Sequence, residues 1–249
     1  MVIKQILYAD AYTEKIAKKI SEDYKVPLEF HKLHNPVFDE WRLFLRKQHG
    51  TRPRTKQRLS SNTLLLGGNR WRHHYALPLS DLPMVVLDAH SDMSYDEMVL
   101  FHLVRPYNWI YFKLKHGTEV HLIIQKFDSL KRTDMVVPRD ISEKFHLYSF
   151  DRENDSAKVS VHVLGSKVVQ VKDPEESYGL LAETNKEISL DWDIIRAVSK
   201  DRVEAFIERI AKDGDICDIW LDEGKKGKRK TLEEHTQCCA RIFEILDSK

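Results

Sequence analysis

Met84-Val85-Val86-Leu87-Asp88-Ala89-His90-Ser91-Asp92 sets four consecutive apolar residues immediately ahead of two carboxylates and an imidazole. An unbroken apolar run reads as a strand covered on both faces, the habit of parallel sheets held between helix layers. In an open parallel sheet, ligands sit beyond the carboxyl ends of the strands. Asp88, His90 and Asp92 leave this strand at that end and can project around one point. Two carboxylates and an imidazole suit a borderline-hard divalent ion, Mn²⁺ first, with Zn²⁺ or Fe²⁺ as alternatives. The competing reading is a polar turn whose aspartates cap the next helix.

Outward from this stretch, other short apolar runs recur between helical or polar segments. The strand candidates are Val2–Tyr8, Thr63–Leu66, Trp109–Phe112, Val120–Gln125, Val159–Leu164, Ile188–Leu190 and Ile216–Leu221, besides Met84–Leu87. Helical candidates are Tyr12–Glu22, Val37–Arg46, Tyr95–Val104, Asp201–Ala211 and Leu232–Leu246. For the last of these, Thr231 can cap and Glu234, three residues on, completes a capping box. The alternation of Val159, Val161 and Val163 with Ser160 and His162 looks half-exposed. It predicts an antiparallel edge pair with Lys144–Phe150 around the polar stretch Asp151–Lys158. Strand and helix alternate along most of the chain, which favours an α/β fold, a three-layer α/β/α sandwich with a mainly parallel sheet. No repeat, low-complexity tract or linker divides residues 1–249, so a single domain is expected.

Composition narrows the partners. Forty Lys and Arg stand against 39 Asp and Glu, leaving a formal charge of +1. No global field draws in nucleic acid or an anionic membrane, and such a partner would need a local patch. The basic stretches Arg52-Pro53-Arg54-Thr55-Lys56-Gln57-Arg58 and Lys225-Lys226-Gly227-Lys228-Arg229-Lys230 read first as solvated loops, and a nucleic-acid or phosphate role is the lesser reading. No run reaches the roughly 18–20 apolar residues needed to span a bilayer, and the N-terminus lacks a signal-peptide pattern. Cys217, Cys238 and Cys239 are an odd number with two adjacent, a poor disulfide framework. Reduced thiols, a soluble protein and a cytoplasmic address are the expectation.

Ile188-Ser189-Leu190-Asp191-Trp192-Asp193 repeats the arrangement of the opening stretch: an apolar strand delivers two carboxylates, two residues apart, at its end. Four carboxylates packed together cost several kcal/mol in repulsion and desolvation unless cations neutralise them. The second pair therefore makes a metal centre the stronger reading, against helix capping ahead of Ile194–Val198. Leu64-Leu65-Leu66-Gly67-Gly68-Asn69-Arg70 runs a strand into two glycines, which allow the tight turn and close approach of a site floor. It has neither of the glycine patterns of phosphate loops.

In this order and spacing the three stretches resemble the arginase–agmatinase–deacetylase superfamily, whose ureohydrolases carry G-G-D-H-S, D-A-H-x-D and S-x-D-x-D-x-x-D-P. Here these read Gly67-Gly68-Asn69-Arg70-Trp71, Asp88-Ala89-His90-Ser91-Asp92 and Ser189-Leu190-Asp191-Trp192-Asp193. The second matches fully, the third through D-x-D, and the first through its glycines. The resemblance covers roughly Thr63 to Asp193. It implies a parallel sheet of about eight strands flanked by helices and a binuclear Mn²⁺ cluster bridged by hydroxide. In that arrangement Asp88 and Asp191 each bridge the metals, His90 and Asp193 ligate one ion, and Asp92 ligates the other.

Two departures set this chain apart. The ligand histidine of the first signature falls on Arg70, whose guanidinium cannot ligate a cation. Either His73 or His74 replaces it after a local shift, or the corresponding metal is weak or absent. The third signature loses its D-P ending, which argues against ordinary arginase or agmatinase specificity. The chain looks closer to divergent arginase-like proteins in which the D-x-H-x-D strand is followed by N-W-I, here Asn108-Trp109-Ile110.

His116-Gly117-Thr118 resembles the H-G element that positions substrate and shuttles protons in ureohydrolases. Between Trp109–Leu114 and Val120–Gln125, a hairpin turn accounts for the same glycine and is the favoured reading. Ile219-Trp220-Leu221-Asp222-Glu223 is another strand ending in acid, and the resemblance makes Glu223 the carboxylate for a substrate guanidinium. Pairing with the following basic loop is its structural alternative. The resulting expectation is a hydrolase of a linear C–N bond, in a guanidino compound or an amide, with His74 or His116 carrying the proton to the leaving amine. The alternative is a non-catalytic arginase-fold protein that binds a small molecule and keeps one metal or none. Arginase relatives assemble into oligomers, so the resemblance also implies a homo-oligomer.

Overall fold

Six of the apolar runs become strands of one sheet. The computed structural model describes residues 3–31, 59–68, 80–89, 118–124, 135–136, 144–150, 161–163, 166–168, 174–221 and 229–249. In chain order the strands are β1 (Gln5–Tyr8), β2 (Leu28–Phe30), β3 (Thr63–Gly68), β4 (Met84–Asp88), β5 (Val120–Ile124), β6 (Met135–Val136), β7 (Phe145–Ser149), β8 (Val161–Val163), β9 (Ser166–Val168), β10 (Glu187–Asp191) and β11 (Ile216–Leu221). The helices among the described residues are α1 (Ala11–Tyr24), α2 (Tyr178–Glu183), α3 (Trp192–Ala197), α4 (Lys200–Ile210) and α5 (Arg229–Asp247).

Eight strands form the main sheet in the order β2-β1-β3-β11-β10-β4-β5-β7. Every neighbouring pair is parallel. The sheet is flanked by helices, as the alternation of elements predicts. Its central strands are buried along their whole length, β3, β4, β5 and β11 without exception. Covering both faces is what makes their sequences continuous rather than alternating.

One face carries the larger core. Leu64 and Leu66 of β3, Val85 and Leu87 of β4, Ile123 of β5 and Ile188 and Leu190 of β10 meet Ile16 and Ile20 of α1, Phe206 and Ile210 of α4, and Ile242 and Phe243 of α5. The opposite face holds Leu7, Leu65, Ile216, Trp220 and Leu59. The expected helices Val37–Arg46 and Tyr95–Val104, and the expected strand Trp109–Phe112, lie outside the described residues.

α1 starts at a capping box. Asp10 accepts from the backbone N–H groups of Tyr12 and Thr13, both at 2.9 Å, and the Thr13 side chain reaches back to the cap. The second carboxylate oxygen of Asp10 accepts from Gly68 N–H at 2.7 Å, tying the start of α1 to the end of β3. A Cβ on Gly68 would run into that carboxylate, and one on Gly67 would overlap the Trp220 ring. Close approach, rather than a turn, is therefore what the two glycines supply here.

Three expectations are corrected. Phe145–Ser149 does not pair antiparallel with the valine-rich segment; it joins the main sheet parallel to β5, from Val120↔Phe145 to Ile124↔Ser149. Its Leu147 and Tyr148 are buried, so the strand belongs to the core rather than to a solvated hairpin. Val161–Val163 instead sits in a separate three-stranded sheet, parallel to β6 and antiparallel to β9. The hairpin reading around His116-Gly117-Thr118 also fails, because both edges of β5 are taken by the parallel strands β4 and β7. Finally, Thr231 is not a cap. α5 begins at Arg229, which places Thr231 inside the helix.

Candidate metal centre

The carboxylate cluster follows from the register of two adjacent strands. β10 and β4 run in parallel from Glu187↔Met84 to Leu190↔Leu87, so Asp191 and Asp88 come next, side by side. α3 begins at Trp192, with no intervening loop, and Asp193 lies in its first turn. A carboxylate is favoured there by the helix dipole and the free amides of the first turn. Side-chain oxygens of Asp88, Asp191 and Asp193 all lie within 4.8 Å of one another. Asp88 is buried at 2% exposure, and the other two are half-buried.

Two hydrogen bonds between described residues orient these groups. Asp193 Oδ1 accepts from Ala89 N–H at 3.0 Å, joining the end of β4 to α3. Asp191 Oδ1 accepts from Asp193 N–H at 3.1 Å, as helix cap. Capping and clustering thus coexist at Asp191: one oxygen serves the helix while the carboxylate remains beside its neighbours. The donor set, three carboxylates on rigid element ends, fits a divalent cation of the Mg²⁺ or Mn²⁺ kind.

Of the residues singled out in the sequence, Asp88, Asp191 and Asp193 are brought together. His90, Asp92, His73, His74, His116 and Glu223, as well as Arg70, lie outside the described residues. By sequence, His90 and Asp92 follow Asp88 by two and four positions, and Glu223 follows the end of β11 by two.

Buried polar residues beneath the cluster hold the central strands in place. Ser189 Oγ donates to Asp218 Oδ2 at 2.5 Å, and the indole N–H of Trp220 donates to the same oxygen. Trp220 in turn covers Gly67. On the helix side, the Trp192 ring meets His235 edge-on at 4.1 Å, and His235 Nδ1 hydrogen-bonds the Tyr12 hydroxyl at 2.8 Å. This chain of contacts links α1, α5 and the residue between Asp191 and Asp193. Apart from Trp220 with Asp218, two residues apart on one strand, these partners are distant along the chain and do not show in the sequence.

The three cysteines are free and buried. Burial pushes the Cys238 thiol up to about 12 and raises those of Cys217 and Cys239 as well. A thiol is nucleophilic only as thiolate, and burial disfavours that form at all three positions. None of the helices among the described residues is long and apolar enough to cross a membrane.

The molecule is thus an open parallel α/β protein with a carboxylate cluster at the carboxyl ends of two central strands. Among solved structures the chain is similar to a cold-adapted arginase from the psychrophilic yeast Glaciozyma antarctica, at 10% identity and a TM-score of 0.48, covering 100% of this chain and 96% of that one. It is also similar to the agmatine ureohydrolase of Thermoplasma volcanium, at 15% identity and a TM-score of 0.49, covering 97% and 90%. No protein-family model matches the chain, and a search of curated proteins gives no match.

Proposed function

We propose that this chain is a metal-dependent hydrolase of a linear C–N bond, in a guanidino compound or an amide. The observation that carries the reading is the convergence of Asp88 from β4 with Asp191 and Asp193 from the β10–α3 junction. Such charge density at the carboxyl ends of parallel strands is the placement expected of a cation site in this architecture. His90 and Asp92, which complete the D-x-H-x-D stretch, would join them in holding one or two Mn²⁺ ions, with Zn²⁺ or Fe²⁺ as alternatives. When bound, the metal supplies a water acidic enough to attack at neutral pH and offsets the charge that develops on the substrate.

The chain's own residues have distinct parts in this reading. Asp191 and Asp193 are held by backbone amides in fixed orientations, so little reorganisation is needed when a cation arrives. Glu223 would bind the cationic end of a guanidino substrate, as the family resemblance implies. His74 or His116 would pass a proton to the leaving amine. The reduced, buried cysteines support a cytoplasmic setting.

Metal content and hydrolysis of guanidino and acyl-lysine substrates, compared between wild type and Asp191→Asn, test the proposal. Loss of bound Mn²⁺ and of turnover in the variant is expected, and unchanged occupancy refutes it. Arg70, in the place of a ligand histidine, favours a second reading: a non-catalytic protein that keeps one ion for small-molecule binding. One Mn²⁺ per chain with no turnover across a broad panel distinguishes it.

A further inference from the structure

A second group of metal-ligand side chains lies toward the opposite end of the sheet. Glu119 immediately precedes β5 and His121 is its second residue, so strand alternation puts both on one face. His121 pairs in register with His146 of β7. The three side chains converge: His146 Nε2 lies 2.6 Å from Glu119 Oε1, and His121 Nε2 lies 3.4 Å from the same oxygen. The two imidazoles stack with centroids 4.6 Å apart and planes 12° from parallel, turning their Nε2 atoms the same way.

Three features distinguish this from a surface ion pair. His121 is 2% exposed, at the margin of the core. Its other ring nitrogen, Nδ1, hydrogen-bonds the buried Tyr148 hydroxyl at 2.9 Å, which fixes the ring. An outer partner of that kind, on the nitrogen away from the ion, is the usual support of a metal-bound histidine. His146 Nε2 is itself buried and makes no hydrogen bond, although a carboxylate oxygen lies 2.6 Å away. Its contact with Glu119 is therefore not aligned as a donor to an acceptor. Two imidazole nitrogens and a carboxylate oxygen within 4.8 Å of one another are a donor set that a cation between them satisfies once the stacked rings tilt toward it.

We propose that Glu119, His121 and His146 form a transition-metal site, suited best to Zn²⁺, that is separate from the carboxylate cluster. Two imidazoles and one carboxylate are a zinc donor set that leaves one position for water. Harder ions such as Mg²⁺ are disfavoured by the two nitrogens. The site is about 10 Å along the strand from the end of β5 beside Asp88, at roughly 3.3 Å per residue. Bound there, the ion clips the edge strand β7 to β5.

The test uses the full chain carrying Asp191→Asn, titrated with Co²⁺ as a spectroscopic substitute for Zn²⁺. We expect visible absorption of a four-coordinate, nitrogen-containing Co²⁺ site that saturates at one equivalent and is displaced by Zn²⁺. Adding Glu119→Gln or His146→Gln abolishes it, and Tyr148→Phe weakens Co²⁺ binding by about 10–100-fold through the outer partner. Glu119 is exposed enough for its variant to leave the fold intact, as circular dichroism would confirm. An absent Co²⁺ signal overturns the proposal, as does a signal unchanged by Glu119→Gln and His146→Gln. Neither result bears on the carboxylate cluster, which is tested by Mn²⁺ in the chain with Asp191 intact.

Discussion

Replacing Asp191 by Asn should make the metal-free protein more stable and the metal-loaded protein less so. The side-chain oxygens of Asp88, Asp191 and Asp193 lie within 4.8 Å of one another. At such a distance, and an effective dielectric of about 20, each pair of like charges costs roughly 3.5 kcal/mol. Asp191 and Asp193 are only half-buried, and water and salt screen most of that repulsion. About 1–2 kcal/mol should remain to be relieved when one charge is removed. Asn keeps the cap of α3, because its carbonyl oxygen can still accept from Asp193 N–H. In chelator the variant should therefore melt higher, by about 2–8 °C for a chain of this size. Mn²⁺ at a hundredfold excess over its Kd should add about 2.7 kcal/mol to the wild type and little to the variant, so the order inverts. Urea unfolding in EDTA and in Mn²⁺ measures both. A variant no more stable in EDTA, with the same gain from Mn²⁺, refutes the reasoning.

Other consequences concern the scaffold and its titration. Lys186 and Asp215 form a buried ion pair at 2.7 Å, and burial pushes the ammonium below and the carboxyl above their ordinary ranges. Lys186→Met alone should cost about 3–5 kcal/mol by leaving the buried Asp215 charge without its ammonium, while Lys186→Met with Asp215→Asn should recover much of it, because the amide oxygen still accepts from the backbone; chemical denaturation decides. Gly67→Ala should cost about 1–3 kcal/mol, because the new Cβ displaces the Trp220 ring, and Trp fluorescence should shift with the loss of stability. Tyr24 donates to Glu244 Oε1 at 2.6 Å; this bond holds the Glu244 carboxyl below its usual value and pushes the tyrosine up to about 12. A depressed carboxyl contributes stability above its unfolded pKa and loses it as pH falls through the folded one, so Tyr24→Phe should raise the Glu244 midpoint in an NMR titration and reduce the acid-side stability loss.

The parts of the fold legible in the sequence are those decided by burial on both faces. Met84–Asp88, Thr63–Gly68 and Ile216–Leu221 are unbroken apolar runs because the sheet covers them twice. Leu28–Phe30 is not legible: it is a three-residue edge strand, its Glu29 and Phe30 exposed, with too little apolar pattern to mark it. The place of β7 in the main sheet is not legible, because His146 and Tyr148 alternate with Phe145 and Leu147 as in a half-solvated strand. Here the polar side chains instead face His121 across the sheet. The start of α5 hid in the basic stretch Arg229-Lys230, where charge reads as loop.

The site divides in the same way. D-x-D and D-x-H-x-D motifs at strand ends are local patterns, and the register of β4 and β10 brings Asp88 of the one beside Asp191 and Asp193 of the other. Asp218 and Glu187 are invisible as buried carboxylates because their hydroxyl partners, Ser189 and Ser80, are distant in sequence. The Glu119, His121 and His146 group was missed for a related reason: its histidines stand on different strands and meet only through the parallel pairing of β5 with β7.

The most direct test of the central claim is an anomalous difference map from crystals grown with Mn²⁺. Strong density within bonding distance of Asp88, Asp191 and Asp193 is the predicted result. Full Mn²⁺ occupancy elsewhere, with those three carboxylates satisfied by protein groups alone, would contradict it.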